Sequence, residues 1–272
     1  MPDATRSRLD ELRRLRFAKR WPWERDPRLP ILRALAEAPD PRSFLDVLPL
    51  MAEAGDVGAA ATDTMRALLD AVPVVDLPSL EQRVRHHLRY AYRASQSARA
   101  LTRRPSRRGP FVTLALASFH PDGYVREVAV RRLGQNESGR ELPFLLLRLD
   151  DWVAPIQGLA VDLLNRRLTA DFVSGWVEAL PILASLADRQ RPRLGLIRSH
   201  VLRLLSDPGQ PDALDGALRA PDRRVRRIAH RFAREAGWPL ARRAAQVASA
   251  DPDVLVRLET ARALHRSNLD LP

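Results

Sequence analysis

The sequence predicts an all-α protein, an α-solenoid of about six to seven helical-hairpin repeats behind an N-terminal capping helix. Three observations predict it. Helix formers dominate and β-branched runs are few. Pro, Asp and Gly punctuate the chain every 12 to 20 residues, the rhythm of short helices joined by tight turns. One helical segment also recurs together with its start signal.

That segment is clearest at 121–133 (PDGYVREVAVRRL), 221–233 (PDRRVRRIAHRFA) and 252–264 (PDVLVRLETARAL). Each opens Pro-Asp and places Val three residues after the Asp, with Arg next. The Asp is a good N-cap, because its carboxylate accepts an orphan N–H of the first turn and suits the helix dipole. Residues four and eight beyond the Val share its face, so Val125, Ala129 and Leu133 are expected to point inward. Weaker copies start at Val57, Val84, Ile156 and Ile197. The anchors are then 57, 84, 125, 156, 197, 225 and 256. Arg follows the anchor at 85, 126, 198, 226 and 257, with Gly58 and Gln157 in that place elsewhere.

Partner helices are expected between the anchors, three of them with an internal proline that would bend the axis: Pro49, Pro143 and Pro181. A bent first helix, a Pro-Asp turn and a Val-Arg second helix resemble HEAT repeats, over roughly residues 40–266. Spacings near 30 are similar to the shorter HEAT-like repeats first named in phycobilisome lyases. The resemblance implies that the second helices line a concave face. It also implies a structural ladder in which Arg126, Arg198, Arg226 and Arg257 pair with carboxylates of neighbouring turns, Asp122, Asp222 and Asp253 forming the acidic side. Gln157 departs from the pattern, so a break is expected there. Residues 1–40 fall outside it and are read as a capping helix followed by a Trp-Pro-Trp connector with Trp21 and Trp23; residues 41–272 form the repeats.

Composition excludes several functions. The chain has no cysteine, which removes disulfides, thiolate catalysis and cysteine-bound metals. No apolar run is long enough to cross a membrane, and no apolar core follows the charged N-terminal segment, so a cytoplasmic location is expected. Neither GxGxxG, GxxxxGK[ST], HExxH nor GxSxG occurs. Only His86 and His87 are adjacent among the six histidines, and neighbouring helical positions diverge too far to share a metal. No cofactor and no catalytic residue is expected. HEAT-like alkylpurine DNA glycosylases share the architecture, but they place an Asp four residues after an inner-helix Trp. Here Trp152, Trp176 and Trp238 meet Ile156, Leu180 and Arg242 at that offset, and packing is the expected role of these tryptophans.

Charge is the remaining signal. The net charge is +12, and 44 of the 45 basic residues are Arg, as a GC-rich genome would produce without any anionic partner. The charge is nevertheless focused. Residues 1–78 hold 12 basic and 13 acidic groups, whereas 79–110 hold nine Arg and one Glu. A helix opened by Ser79 and Gln82 is expected to run to about Leu101, followed by an Arg- and Pro-rich loop. Arg85, Arg89, Arg93, Arg99, Arg103, Arg104, Arg107 and Arg108 are the candidate surface for an acidic protein or a nucleic-acid backbone. The expected function is a non-enzymatic scaffold that binds a protein on its concave face, with sequence-independent nucleic-acid binding as the alternative.

Overall fold

The structure is a computed structural model that describes residues 2–15, 26–91, 111–187, 192–207, 211–235, 237 and 240–267. Among these residues there is no strand, and the protein is all-α. No helix of the described residues is long and apolar enough to cross a membrane. The chain divides into two compact units, Met1–Leu133 and Gly134–Pro272.

The first unit holds α1 (Pro2–Leu15), α2 (Arg28–Glu37), α3 (Phe44–Val47), α4 (Asp56–Asp70), α5 (Leu77–Ala91), α6 (Phe111–Ala117) and α7 (Gly123–Leu133). In α4, Val57, Ala61, Met65 and Leu68 recur at helical spacing and are buried; α2 lies against α4 and contributes Leu32 and Leu35. Each of the Val, Met and Leu side chains among them contributes on the order of 1.5–3 kcal/mol by leaving water. The Thr64 hydroxyl lies between two carbonyl acceptors, Ala60 of its own helix at 2.7 Å and Leu32 of α2 at 2.9 Å. Gly58 explains why one anchor lacks its Arg: a Cβ there would lie 1.9 Å from the Glu53 carbonyl oxygen. Arg28, nearly fully buried, donates to Asp26 at 2.8 Å and to Glu53 at 2.7 Å, and its hydrogen bonds to Asp26 above all raise its pKa. α1 packs on α2 and α3, with Arg13 donating to Asp46 at 2.8 Å. Trp21 and Trp23 lie outside the described residues.

The second unit holds α8 (Leu142–Leu147), α9 (Ala154–Asn165), α10 (Val173–Ala187), α11 (Pro192–Leu205), α12 (Pro211–Leu218), α13 (Arg223–Glu235), α14 (Leu240–Ala248) and α15 (Val254–Ser267). α10 is its hub, touching α8, α11, α12 and α13 and burying Trp176, Leu180, Ile182 and Leu183. α8 is buried on every side, as its unbroken apolar sequence requires. Gly139, at φ +81, meets Gly175 with its prospective Cβ 3.2 Å from the Gly175 Cα, so any larger residue on either side would push α8 and α10 apart.

Several expectations need correcting. Of the three prolines, only Pro181 stands inside an α-helix. Pro143 occupies the first turn of α8, where a missing N–H costs nothing, and Pro49 is the second residue of a 3-10 turn at Leu48–Ala52. The helix of the basic segment begins at Leu77, after a 3-10 turn at Val74–Asp76, so Ser79 is already inside it and does not cap it. Among the anchors, Val57, Val84, Ile156, Ile197 and Val256 are buried, but Val125 and Val225 are only half-buried. In α7 the fully buried positions are Arg126, Ala129, Val130 and Leu133. Trp152 is 63 % exposed and does not pack into a core; Trp176 does, while Trp238 lies outside the described residues.

Candidate partner-binding surface

Each Arg after a Pro-Asp anchor performs one recurring task. The guanidinium of Arg126 donates to the carbonyls of His120 at 3.0 Å and Pro121 at 2.9 Å. Arg226 donates to Ala220 at 2.7 Å and Pro221 at 3.0 Å, and Arg257 donates to the Asp251 carbonyl. In all three the acceptor is the carbonyl six residues earlier, so the side chain folds back over the turn that precedes its own helix and fixes the angle of entry. Charged donors of this kind contribute about 1.5–3 kcal/mol each where they are buried. Gln157 also reaches back over its turn, but to a carbonyl eight residues earlier, donating to Leu149 at 2.7 Å. Arg198 differs: it pairs with Glu235 and lies 5.9 Å over the Phe232 ring.

The acidic side of the ladder is not where it was expected. Asp122, Asp222 and Asp253 accept the N–H two residues on, from Tyr124, Arg224 and Leu255, at 2.7 to 3.0 Å. They cap the helices. The carboxylate that meets Arg226 belongs instead to Asp251, at 3.0 Å, while Asp253 is held by Arg227 at 2.6 Å. The residue two before the capping position is thus a second turn-forming position. There Asp151 and Asp251 accept the N–H of Val153 and Asp253, and His120 does the same for Asp122 through Nδ1 at 3.0 Å. Sequence reasoning missed this position; an acid or His two residues before the cap was the available signal.

Of the candidate basic surface, Arg93, Arg99, Arg103, Arg104, Arg107 and Arg108 lie outside the described residues. The two that are described part company. Arg85 is half-buried and donates to Glu81 one turn back at 2.5 Å, so its charge is already met. Arg89 is exposed, and with His120, Pro121 and Asp122 it lines a cleft of about 230 Å³. The sequence neighbours of that cleft are exposed aromatics: Tyr90 is 67 % and Tyr124 83 % exposed. His120 is fully buried at the cleft, and burial pushes its pKa below the ordinary histidine value.

A second cationic element went unread in the sequence. α13 carries six Arg and one Glu in 13 residues. Arg226, Arg227 and Arg234 meet Asp251, Asp253 and Glu259, the last at 2.9 Å. Arg223, Arg224 and Arg231 are exposed. His230, buried beside them, lies 3.9 Å from Asp251, and its pKa is lowered chiefly by burial. Among the described residues no group of His, Asp and Glu comes together in a way that would hold a metal ion. No family model, no curated protein and no solved structure matches the chain.

Proposed function

We propose that the chain is a HEAT-like repeat protein, a non-enzymatic scaffold that binds a protein partner on a concave helical surface. What supports the repeat reading is the recurring turn, in which Arg126, Arg226 and Arg257 reach the carbonyl six residues back and Asp122, Asp222 and Asp253 cap the helix that follows. The observation that carries the binding reading is the exposure of large aromatic side chains, Tyr90 and Tyr124, close in sequence to residues that line the Arg89 cleft, and Trp152 in the second unit. Exposed Tyr and Trp next to Arg are the residue types that dominate protein-interface hot spots. The test is a pull-down from the native host with the wild type and a Tyr90→Ser/Tyr124→Ser variant, each captured protein then being rebuilt into a complex from purified components. The expected result is a partner whose affinity falls at least about tenfold in the variant, equivalent to about 1.4 kcal/mol.

One observation favours a second reading, sequence-independent binding of a nucleic-acid backbone. Arg223, Arg224 and Arg231 are exposed on one helix, and guanidinium groups are suited to phosphate. If purified protein retains nucleic acid that nuclease removes, and no protein depends on Tyr90 and Tyr124, this second reading replaces the first.

A further inference from the structure

We infer that the cleft at Arg89, His120, Pro121 and Asp122 seats a single carboxylate from an acidic segment of the protein partner, an inference that rests on the protein-binding reading above. The argument is an internal comparison of turns. In the second unit, Asp151 uses Oδ1 to accept the Val153 N–H at 3.0 Å and Oδ2 to meet Arg148 at 3.2 Å. Asp251 behaves similarly: Oδ1 takes the Asp253 N–H at 2.7 Å, and Arg226 lies closer to Oδ2, at 3.0 Å, than to Oδ1, at 3.4 Å. One oxygen builds the turn and the other is the one nearer an Arg.

In the first unit His120 holds the same position. Its Nδ1 builds the turn by accepting the Asp122 N–H, but it carries no second, anionic oxygen. Arg89 of α5 nevertheless stands on the wall of the same cleft. The turn is present and a guanidinium lines the cleft beside it, but the position that holds a carboxylate in the other two turns holds a histidine. A ligand carboxylate fits the cleft, because a guanidinium fork donates two parallel hydrogen bonds to its two oxygens.

The neighbours decide which anion. Asp122 also lines the cleft, and its Oδ1 is occupied by the Tyr124 N–H. A fixed negative charge beside the seat penalises a phosphate dianion about twice as much as a singly charged carboxylate. The exposed Tyr90 and Tyr124 offer apolar area next to the lining residues, so the segment that fits is an acidic side chain flanked by apolar ones.

The test uses the full-length chain with its Arg side-chain N–H groups observed by nuclear magnetic resonance. Acetyl-Leu-Glu-Phe-amide is titrated against its Gln counterpart, inorganic phosphate and duplex DNA. The Glu peptide is expected to shift the Arg89 Nε–H signal with millimolar affinity and the Gln peptide to bind at least about tenfold more weakly. Arg89→Gln, at an exposed position, should abolish the response. His120→Asp, provided that circular dichroism shows it folded, should also abolish it, because the new carboxylate would compete for Arg89 as Asp151 and Asp251 do for their own Arg side chains. Equal responses to the Glu and Gln peptides, no response at all, or unchanged binding in His120→Asp would overturn the inference. A stronger response to phosphate or DNA would make the cleft a polyanion seat and overturn it as well. A partner that depends on Tyr90 and Tyr124 but is held equally well by Arg89→Gln would overturn the cleft alone and leave the scaffold reading standing.

Discussion

Replacing Arg167 by Met should be among the most damaging single changes in the second unit. Arg167 is nearly fully buried just beyond α9. Its Nε donates to Glu141 at 2.6 Å, Nη1 to the Leu163 carbonyl at 2.9 Å, and Nη2 to the carbonyls of Gly134 at 2.9 Å and Asn136 at 2.5 Å. Its own carbonyl accepts from the Trp176 indole at 2.7 Å, so the residue joins α8, α9 and α10 at one point. Glu141 is fully buried, and removing its cation leaves a carboxylate in the interior without a counter-charge. Breaking a buried pair from one side costs about 3–5 kcal/mol. At roughly 3–5 °C per kcal/mol for a unit of this size, the melting temperature should fall on the order of 10–20 °C. The assay is urea denaturation followed by far-ultraviolet circular dichroism, with Glu141→Met and the double variant alongside. Because the double variant leaves no orphaned charge, it should cost at least about 2 kcal/mol less than the sum of the singles. A cost below about 1 kcal/mol for Arg167→Met, or strict additivity, would refute the reasoning.

Three further outcomes follow from the same geometry. His120 and His230 are buried with depressed pKa values, so the folded state takes up protons less readily than the unfolded chain. Stability should therefore be complete above about pH 6.5 and decline as the pH falls below it, and His230→Gln should reduce that decline in urea midpoints measured across the range. Gly58→Ala should destabilise the first unit by about 1–3 kcal/mol, since its methyl group would overlap the Glu53 carbonyl; a thermal melt unchanged from the wild type would refute the close approach. Ile156→Ala should cost about 2–5 kcal/mol and Val125→Ala distinctly less, reversing the equality that the repeat pattern alone implies; equal urea midpoints would count against the half-burial of Val125.

The helical class and the turns were legible because both are local. Pro-Asp followed by Val and Arg contains its own cap and its own carbonyl hook, within a few residues of one another. The inward face of α7 was less legible: an apolar count places Val125 inside, yet Val125 is only half-buried, while Arg126, expected to pair with a carboxylate, is buried against the carbonyls of the turn. Proline was over-read as a bend at positions 49 and 143, where it stands in the first turn of an element. At the candidate surface, Glu81 lies one helical turn from Arg85 and the pair was readable; the cleft beside Arg89 was not, because it depends on where residues 120–122 come to lie against α5. The acids that meet α13 escaped for a related reason, since they sit 25 or 26 residues away and no local window contains both partners.

The same separation has a consequence for synthesis. α13 is complete at Glu235, but Asp251, Asp253 and Glu259 have yet to be added. At roughly 5–20 residues per second, the ribosome takes on the order of a second or more to add them. During that interval Arg226, Arg227 and Arg234 lack the carboxylates they meet in the folded chain. Those three ion pairs can all close only once synthesis has passed Glu259.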